Sequence, residues 1–301
     1  MSAGTDYLTD LSLARLAPEP PAARLATTAG GFTWIEPVSG WQPVNIRELW
    51  QYRELLYFLV WRDVKVRYKQ TALGAAWAIL QPLMMMAVFS IFFKRMAGVT
   101  SGELPYAVFC YLGLLPWTFF STAISGAGNS IVGSERLITK IYFPRLAVPF
   151  AAVGAAVVDF LFALSLVVIL MFWYGVHPGL GGLALPVIFA VILLLAVGVG
   201  TLLAALNVSY RDFRYVIPFM LQVWMFATPT IYMQPKPHGG ALHVLLTLNP
   251  MTGLVAAFRA AATNSPIPYG QLAVSAAAAL VILCVGCLMF RRAERRFADI
   301  I

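Results

Sequence analysis

Six apolar stretches, each about 20 residues or longer, constrain the fold of this chain more than any other feature. They occupy residues 72–93, 105–126, 146–174, 183–208, 216–233 and 272–290. A helix of that length crosses roughly 30 Å of hydrocarbon while satisfying its own backbone hydrogen bonds. Composition points the same way, because the chain is 60% hydrophobic and 11% charged, whereas a soluble domain carries about 25% charge. An all-α polytopic membrane protein with six transmembrane helices is expected.

Charge sets the orientation. The 21 Lys and Arg exceed the 13 Asp and Glu, but they are dispersed over the loops between apolar spans, which argues for insertion topology and against nucleic acid. With the amino terminus inside, 17 of the 21 fall on the cytoplasmic side, and Lys94, Arg95, Lys236 and Arg259 face out. Both termini are then cytoplasmic. The stretch 62–82 concentrates the signal, running from Arg62, Lys65, Arg67 and Lys69 straight into the first span. Its Gln81-Pro82 pair is a candidate point of helix distortion.

Upstream, the pattern over 46–69 is amphipathic. This segment, taken as 41–71, either lies in the headgroup plane against lipid or a partner, or simply caps the first span. Residues 1–40 include Pro18, Pro20, Pro21, Gly30 and Gly31 and no apolar h-region, so a mobile cytoplasmic tail is expected there. Residues 291–301 form a second, shorter tail, leaving 72–290 as the membrane domain.

Several chemistries find no support. Cys110, Cys284 and Cys287 lie in apolar segments without the second ligand pair a zinc site needs. His177, His238 and His243 fall on outer loops without metal-binding spacing. No Gly-x-x-x-x-Gly-Lys-Ser/Thr phosphate loop occurs, so ATP-driven work needs another subunit. Asp159 is the one acid well inside a span; with no second buried acid or Lys for a relay, a hydrogen bond to a neighbouring helix is its expected role.

Three regions leave two readings each. The loop 128–145 can form a short helix capped by Ser134, with Glu135, Arg136 and Lys140 exposed and Leu137, Ile138 and Ile141 apolar; it either docks into a partner's groove or rests on the membrane. Residues 241–248 and 251–262, separated by Asn249-Pro250, are too short to cross, and read as re-entrant outer half-helices or as a surface loop. Aromatics crowd two spans, among them Tyr106, Tyr111, Trp117, Phe119 and Phe120 in the second and Phe219, Trp224, Phe226 and Tyr232 in the fifth. They either pack helices together or offer flat faces for sugar rings to slide on.

Particular stretches resemble a known family. Tyr52-Arg-Glu-Leu-Leu, Trp61-Arg-Asp-Val-Lys-Val-Arg-Tyr-Lys-Gln-Thr, Leu80-Gln-Pro, Leu114-Leu-Pro-Trp-Thr-Phe-Phe, Leu137-Ile-Thr-Lys-Ile-Tyr-Phe-Pro-Arg, Asn207-Val-Ser-Tyr-Arg-Asp and Leu248-Asn-Pro-Met are similar to the membrane subunit of ABC-2 type exporters of lipid-linked polysaccharide. The resemblance is greatest to O-antigen permeases of lipopolysaccharide transport systems. It implies a homodimer in a bacterial inner membrane, joined to two cytoplasmic ATPase subunits that bind ATP and Mg²⁺, with no catalytic residue and no metal in this chain. It also implies that Ser134, Glu135, Arg136 and Lys140 form a coupling helix over 134–140, and that an interface helix precedes the first span. Residues 241–262, with Asn249, Pro250 and Arg259, become an outer gate, and Tyr106, Tyr111, Trp117, Phe119, Phe120, Trp224, Phe226 and Tyr232 become channel aromatics. On that reading Arg62, Lys65, Arg67 and Lys69 meet a lipid headgroup at the entrance. The alternatives are an ABC-2 exporter of capsule, teichoic acid or small molecules, or a membrane glycan polymerase or ligase.

Overall fold

A computed structural model describes residues 50–69, 71, 74, 76–96, 104–140, 143–177, 179–233, 246 and 248–294. All belong to a compact unit of 41–301. Its elements are helical: α1 (Arg53–Tyr68), α2 (Ala76–Phe89), α3 (Tyr106–Gly133), α4 (Glu135–Ile138), α5 (Ala147–Trp173), α6 (Leu185–Ser209), α7 (Phe213–Phe226), α8 (Pro250–Ala262) and α9 (Tyr269–Glu294). A π-helical turn, Ser90–Met96, extends α2, and a 3₁₀ turn, Leu180–Ala184, leads into α6.

Among the described residues, five helices are long and apolar enough to cross a membrane: Ala76–Phe93, Tyr106–Gly133, Ala147–Trp173, Leu180–Ser209 and Tyr269–Glu294. They match five of the six expected spans. The stretch expected as the fifth, 216–233, forms only the 14-residue α7, about 21 Å at 1.5 Å per residue. Its helix stops at Phe226 because Pro229, two residues beyond the Ala227 C-cap, supplies no N–H and disfavours helical backbone at Thr228. The second span instead overshoots: α3 stays helical to Gly133, with Asn129 and Ser130 donating to the carbonyls of Ser125 and Ala127. In α2 the helix continues through Pro82, and its irregularity lies downstream at Ser90–Met96.

α3 is the central pillar. Within their apolar windows, 78% of α3 is buried inside the chain against 22% of α9 and 11% of α2. α5 and α6 pack along it, and α9 packs along α6, where a Cβ on Gly286 would collide with the Gly198 carbonyl. A second, smaller core gathers Leu59 of α1, Ile131 of α3, Ile138 of α4, Ala147 and Ala151 of α5, Ala205 and Val208 of α6, and Phe290 of α9. It lies at the expected inner end, where the segments carrying Arg136, Lys140, Arg145, Arg211, Arg291 and Arg292 meet.

α1 packs lengthwise on α5. Its contacts advance in step: Val60 fills the space left by Gly154, Arg67 and Tyr68 reach Asp159, and the Tyr68 ring meets Phe162 edge-on at 6.3 Å. One face of α1 (Leu55, Leu56, Leu59, Val60) joins the inner core, and the other leaves Tyr57, Phe58 and Trp61 exposed.

Candidate functional site

At the inner end, α4 turns its charges outward. Glu135, Arg136, Thr139 and Lys140 are exposed, Leu137 is half-buried, and Ile138 is buried in the inner core. The helix is four residues long, shorter than the expected 134–140. Ser134 does not cap it through its hydroxyl; its carbonyl accepts from the amides of Leu137 and Ile138 at 2.9 and 3.1 Å. The expected apolar contribution of Ile141 lies outside the described residues, as do 1–49 with the start of the amphipathic segment, and 295–301.

The four basic residues of the expected entrance divide into two kinds. Arg67 forms an ion pair with Asp159, whose other carboxylate oxygen accepts from the Tyr68 hydroxyl. Arg62 donates to the neighbouring Asp63 at 2.9 Å. Lys65 sits 5.4 Å from the Trp61 ring centre, a cation–π distance, and Lys69 is exposed. Two cations are therefore matched by acids and two remain outward. Asp159 bonds to α1, 92 positions earlier in sequence, which periodicity within one helix cannot reveal. Beside this cluster a cavity of about 320 Å³ opens between α1, α2, α3 and α5.

The expected channel aromatics also separate. Tyr106, Tyr111, Trp117, Phe119 and Phe120 are buried inside the single chain, each at most 4% exposed. Tyr111 donates to the Ala163 carbonyl at 2.8 Å, and Phe119 packs on Phe160 and Phe189. These five are core residues, because α5, α6 and α8 cover the faces of α3 that carry them. In α7, Trp224 is half-buried and Phe226 is 51% exposed, and Tyr232, beyond the helix, is half-buried. A row of α7 side chains at helical spacing, Tyr215, Val216, Phe219, Val223 and Phe226, is exposed.

The outer end is knotted by two polar residues. Asn249 caps α8 through its side-chain oxygen, which accepts from the Met251 amide at 3.1 Å and from the Trp224 indole at 2.9 Å. Its amide donates to Thr228 Oγ1 at 2.9 Å. Pro250 at N1 is compatible with that cap, and the Asn-Pro pair was a legible start signal that a reading of it as a mere separator passes over. Arg259, expected on the outer side of the membrane, turns its side chain into the protein: its guanidinium lies 3.7 Å from the Phe109 ring centre and donates to the Thr230 carbonyl at 2.8 Å. Burial lowers its pKa to about 10, which leaves it cationic at neutral pH. Tyr106 donates to the Ile231 carbonyl at 2.7 Å, so α3, α7 and α8 are tied together there. The inward turn has a simple cause, since at this depth an aromatic face and a free carbonyl replace the water a guanidinium would lose.

The first outer half-helix, 241–248, lies outside the described residues except Leu246 and Leu248, and so do His238 and His243. Among the described residues no cluster of three His, Cys, Asp or Glu could hold a metal.

Comparison with known proteins matches this architecture. The signature of the ABC-2 type transporter family spans residues 54–262. The chain is 32% identical to the O-antigen export system permease protein RfbA of Myxococcus xanthus, over 84% of this chain and 98% of that protein. It is 26% identical to the O-antigen export system permease protein RfbA of Klebsiella pneumoniae, over 82% and 95%. With the polysialic acid transport protein KpsM of Escherichia coli it shares 23% identity over 77% and 91%. By that signature and by similarity along most of its length, the chain belongs to the ABC-2 type transporter membrane family.

Proposed function

We propose that this chain is the permease subunit of an ATP-driven exporter that moves a lipid-linked, O-antigen-like polysaccharide across a bacterial inner membrane. The observation that carries the reading is α4. Its charged residues face outward while Ile138 is buried in a core it shares with α1, α3, α5, α6 and α9, so a push on α4 bears on that core. Relatives named for O-antigen export and polysialic acid transport supply the substrate class. ATP and Mg²⁺ belong to two separate cytoplasmic ATPase subunits that seat on Glu135, Arg136 and Lys140.

Parity supports six crossings. α6 and α9 both end at the inner core, so the chain between Ser209 and Tyr269 has to return to the outer end. α7 followed by Ala227–Ile231 makes that passage, since Ile231 meets Tyr106 at the outer end. Both termini then lie in the cytoplasm. A second copy of the chain faces the uncovered row of α7, and the path between the copies is lined by Phe226, Tyr232 and Trp224 with Tyr215 and Phe219. Lys65 and Lys69, free of acids, meet the lipid headgroup, and α8 with Arg259 forms the outer gate. Affinity purification of the full chain from its native membrane tests the reading. An ATPase subunit should co-purify, and the surface glycan should disappear when the chain is deleted; a chain that purifies alone and is dispensable for the glycan would overturn it.

A further inference from the structure

The cavity beside Asp159 has no role in the path described above, and its chemistry is specific. Its volume of about 320 Å³ lies at the lower end of small-molecule pockets, which run from about 300 to 1,000 Å³. That suits one ring and not a chain of them. It sits along α5 twelve residues from Ala147, the inner start of that helix, or roughly 18 Å along the axis.

Three features select the occupant. Gln81, Thr118 and Thr122 line the cavity, and their side chains have no hydrogen-bond partner among the described residues. Each both donates and accepts, as sugar hydroxyls do. The Asp159 carboxylate is held by Arg67 and Tyr68 yet keeps lone pairs for further donors. Because Arg67 and Asp159 cancel in charge, the wall offers no surplus cation to a phosphate, and the carboxylate repels one. Finally, Trp77 contributes a half-exposed indole, with Phe119 and Phe160 behind it, and these rings suit the C–H face of a pyranose. A lipid tail in the same space would strand the amide and both hydroxyls without partners.

We propose that this cavity is a binding site for one neutral pyranose residue of the exported glycan, stacked on Trp77 and hydrogen-bonded by Asp159, Gln81, Thr118 and Thr122. The proposal rests on the polysaccharide reading and adds to it a site outside the α7-lined path. Gly74 also lines the cavity, at φ +50°, a left-handed conformation that glycine adopts without a Cβ clash.

Saturation-transfer NMR on the full chain in phosphatidylcholine nanodiscs, which carry no sugar, tests it with methyl glucoside, galactoside, mannoside and rhamnoside as probes. At least one should show transfer, and Thr118→Val and Gln81→Leu should each weaken it about tenfold, the equivalent of one lost hydrogen bond. Both substitutions spare the Arg67–Asp159 pair, and an unchanged melting temperature confirms the fold. Inorganic pyrophosphate should not displace the sugar. Three results would overturn the site: no transfer from any probe, binding unchanged in both variants, or displacement by pyrophosphate, which would make it a headgroup pocket. Glycan export measured with the wild-type chain separates the two claims. Intact export without pyranoside binding removes only the site, and pyranoside binding without export removes the exporter reading and leaves a sugar site.

Discussion

α3 and α7 carry the same kinds of aromatic side chain and use them in opposite ways. Tyr106, Tyr111, Trp117, Phe119 and Phe120 on α3 are enclosed by their own chain, while Tyr215, Phe219 and Phe226 on α7 are left at its surface. The rings on α3 are enclosed by neighbouring helices, whereas those on α7 are exposed. The difference teaches that aromatic content marks a helix as rich in contact area, and that neighbours decide whether the contact is internal. The same division runs through the charges. Arg67 is engaged by Asp159, and Arg259 by Phe109 and Thr230. Glu135, Arg136, Lys140 and Lys69 are presented outward.

Mutations can break that contrast or sharpen it. Phe120→Ala empties a fully buried site and should cost about 3–5 kcal/mol, read as a lower unfolding midpoint of the purified chain. Asp159→Asn strips a half-buried pair and should cost about 1–3 kcal/mol; adding Arg67→Met should recover part of it, a coupling that a double-mutant cycle measures. Asn249→Ala removes the α8 cap and the Trp224 link at a cost of about 1 kcal/mol, and should loosen the outer end in hydrogen exchange. Phe226→Ala should leave stability within about 0.5 kcal/mol while slowing glycan export. A Phe226→Ala protein as destabilised as Phe120→Ala would erase the distinction between the helices.

Much of the architecture was legible because membranes impose length and hydropathy directly. Five spans and the exposed charges of 135–140 could both be read from local pattern. What escaped depended on partners distant in sequence. Nothing around Asp159 announces Arg67 and Tyr68, and nothing around Arg259 announces the Phe109 ring, because each contact joins separate helices. The α3 aromatics resisted for the same reason, since only the positions of α5, α6 and α8 say which faces are covered. By contrast, the early stop of α7 was encoded locally in Thr228-Pro229, but its apolar composition runs on to Met233 and masks the break.

Coupling through α4 is the centre of the account, and a transport assay in inverted membrane vesicles tests it most directly. With the ATPase subunits present, ATP should render a lipid-linked glycan inaccessible to added glycosidase, and Glu135→Ala with Arg136→Ala should abolish this while leaving the unfolding midpoint unchanged. Equal protection by the double variant, or glycan accessibility that ATP does not change in the wild-type chain, would contradict it.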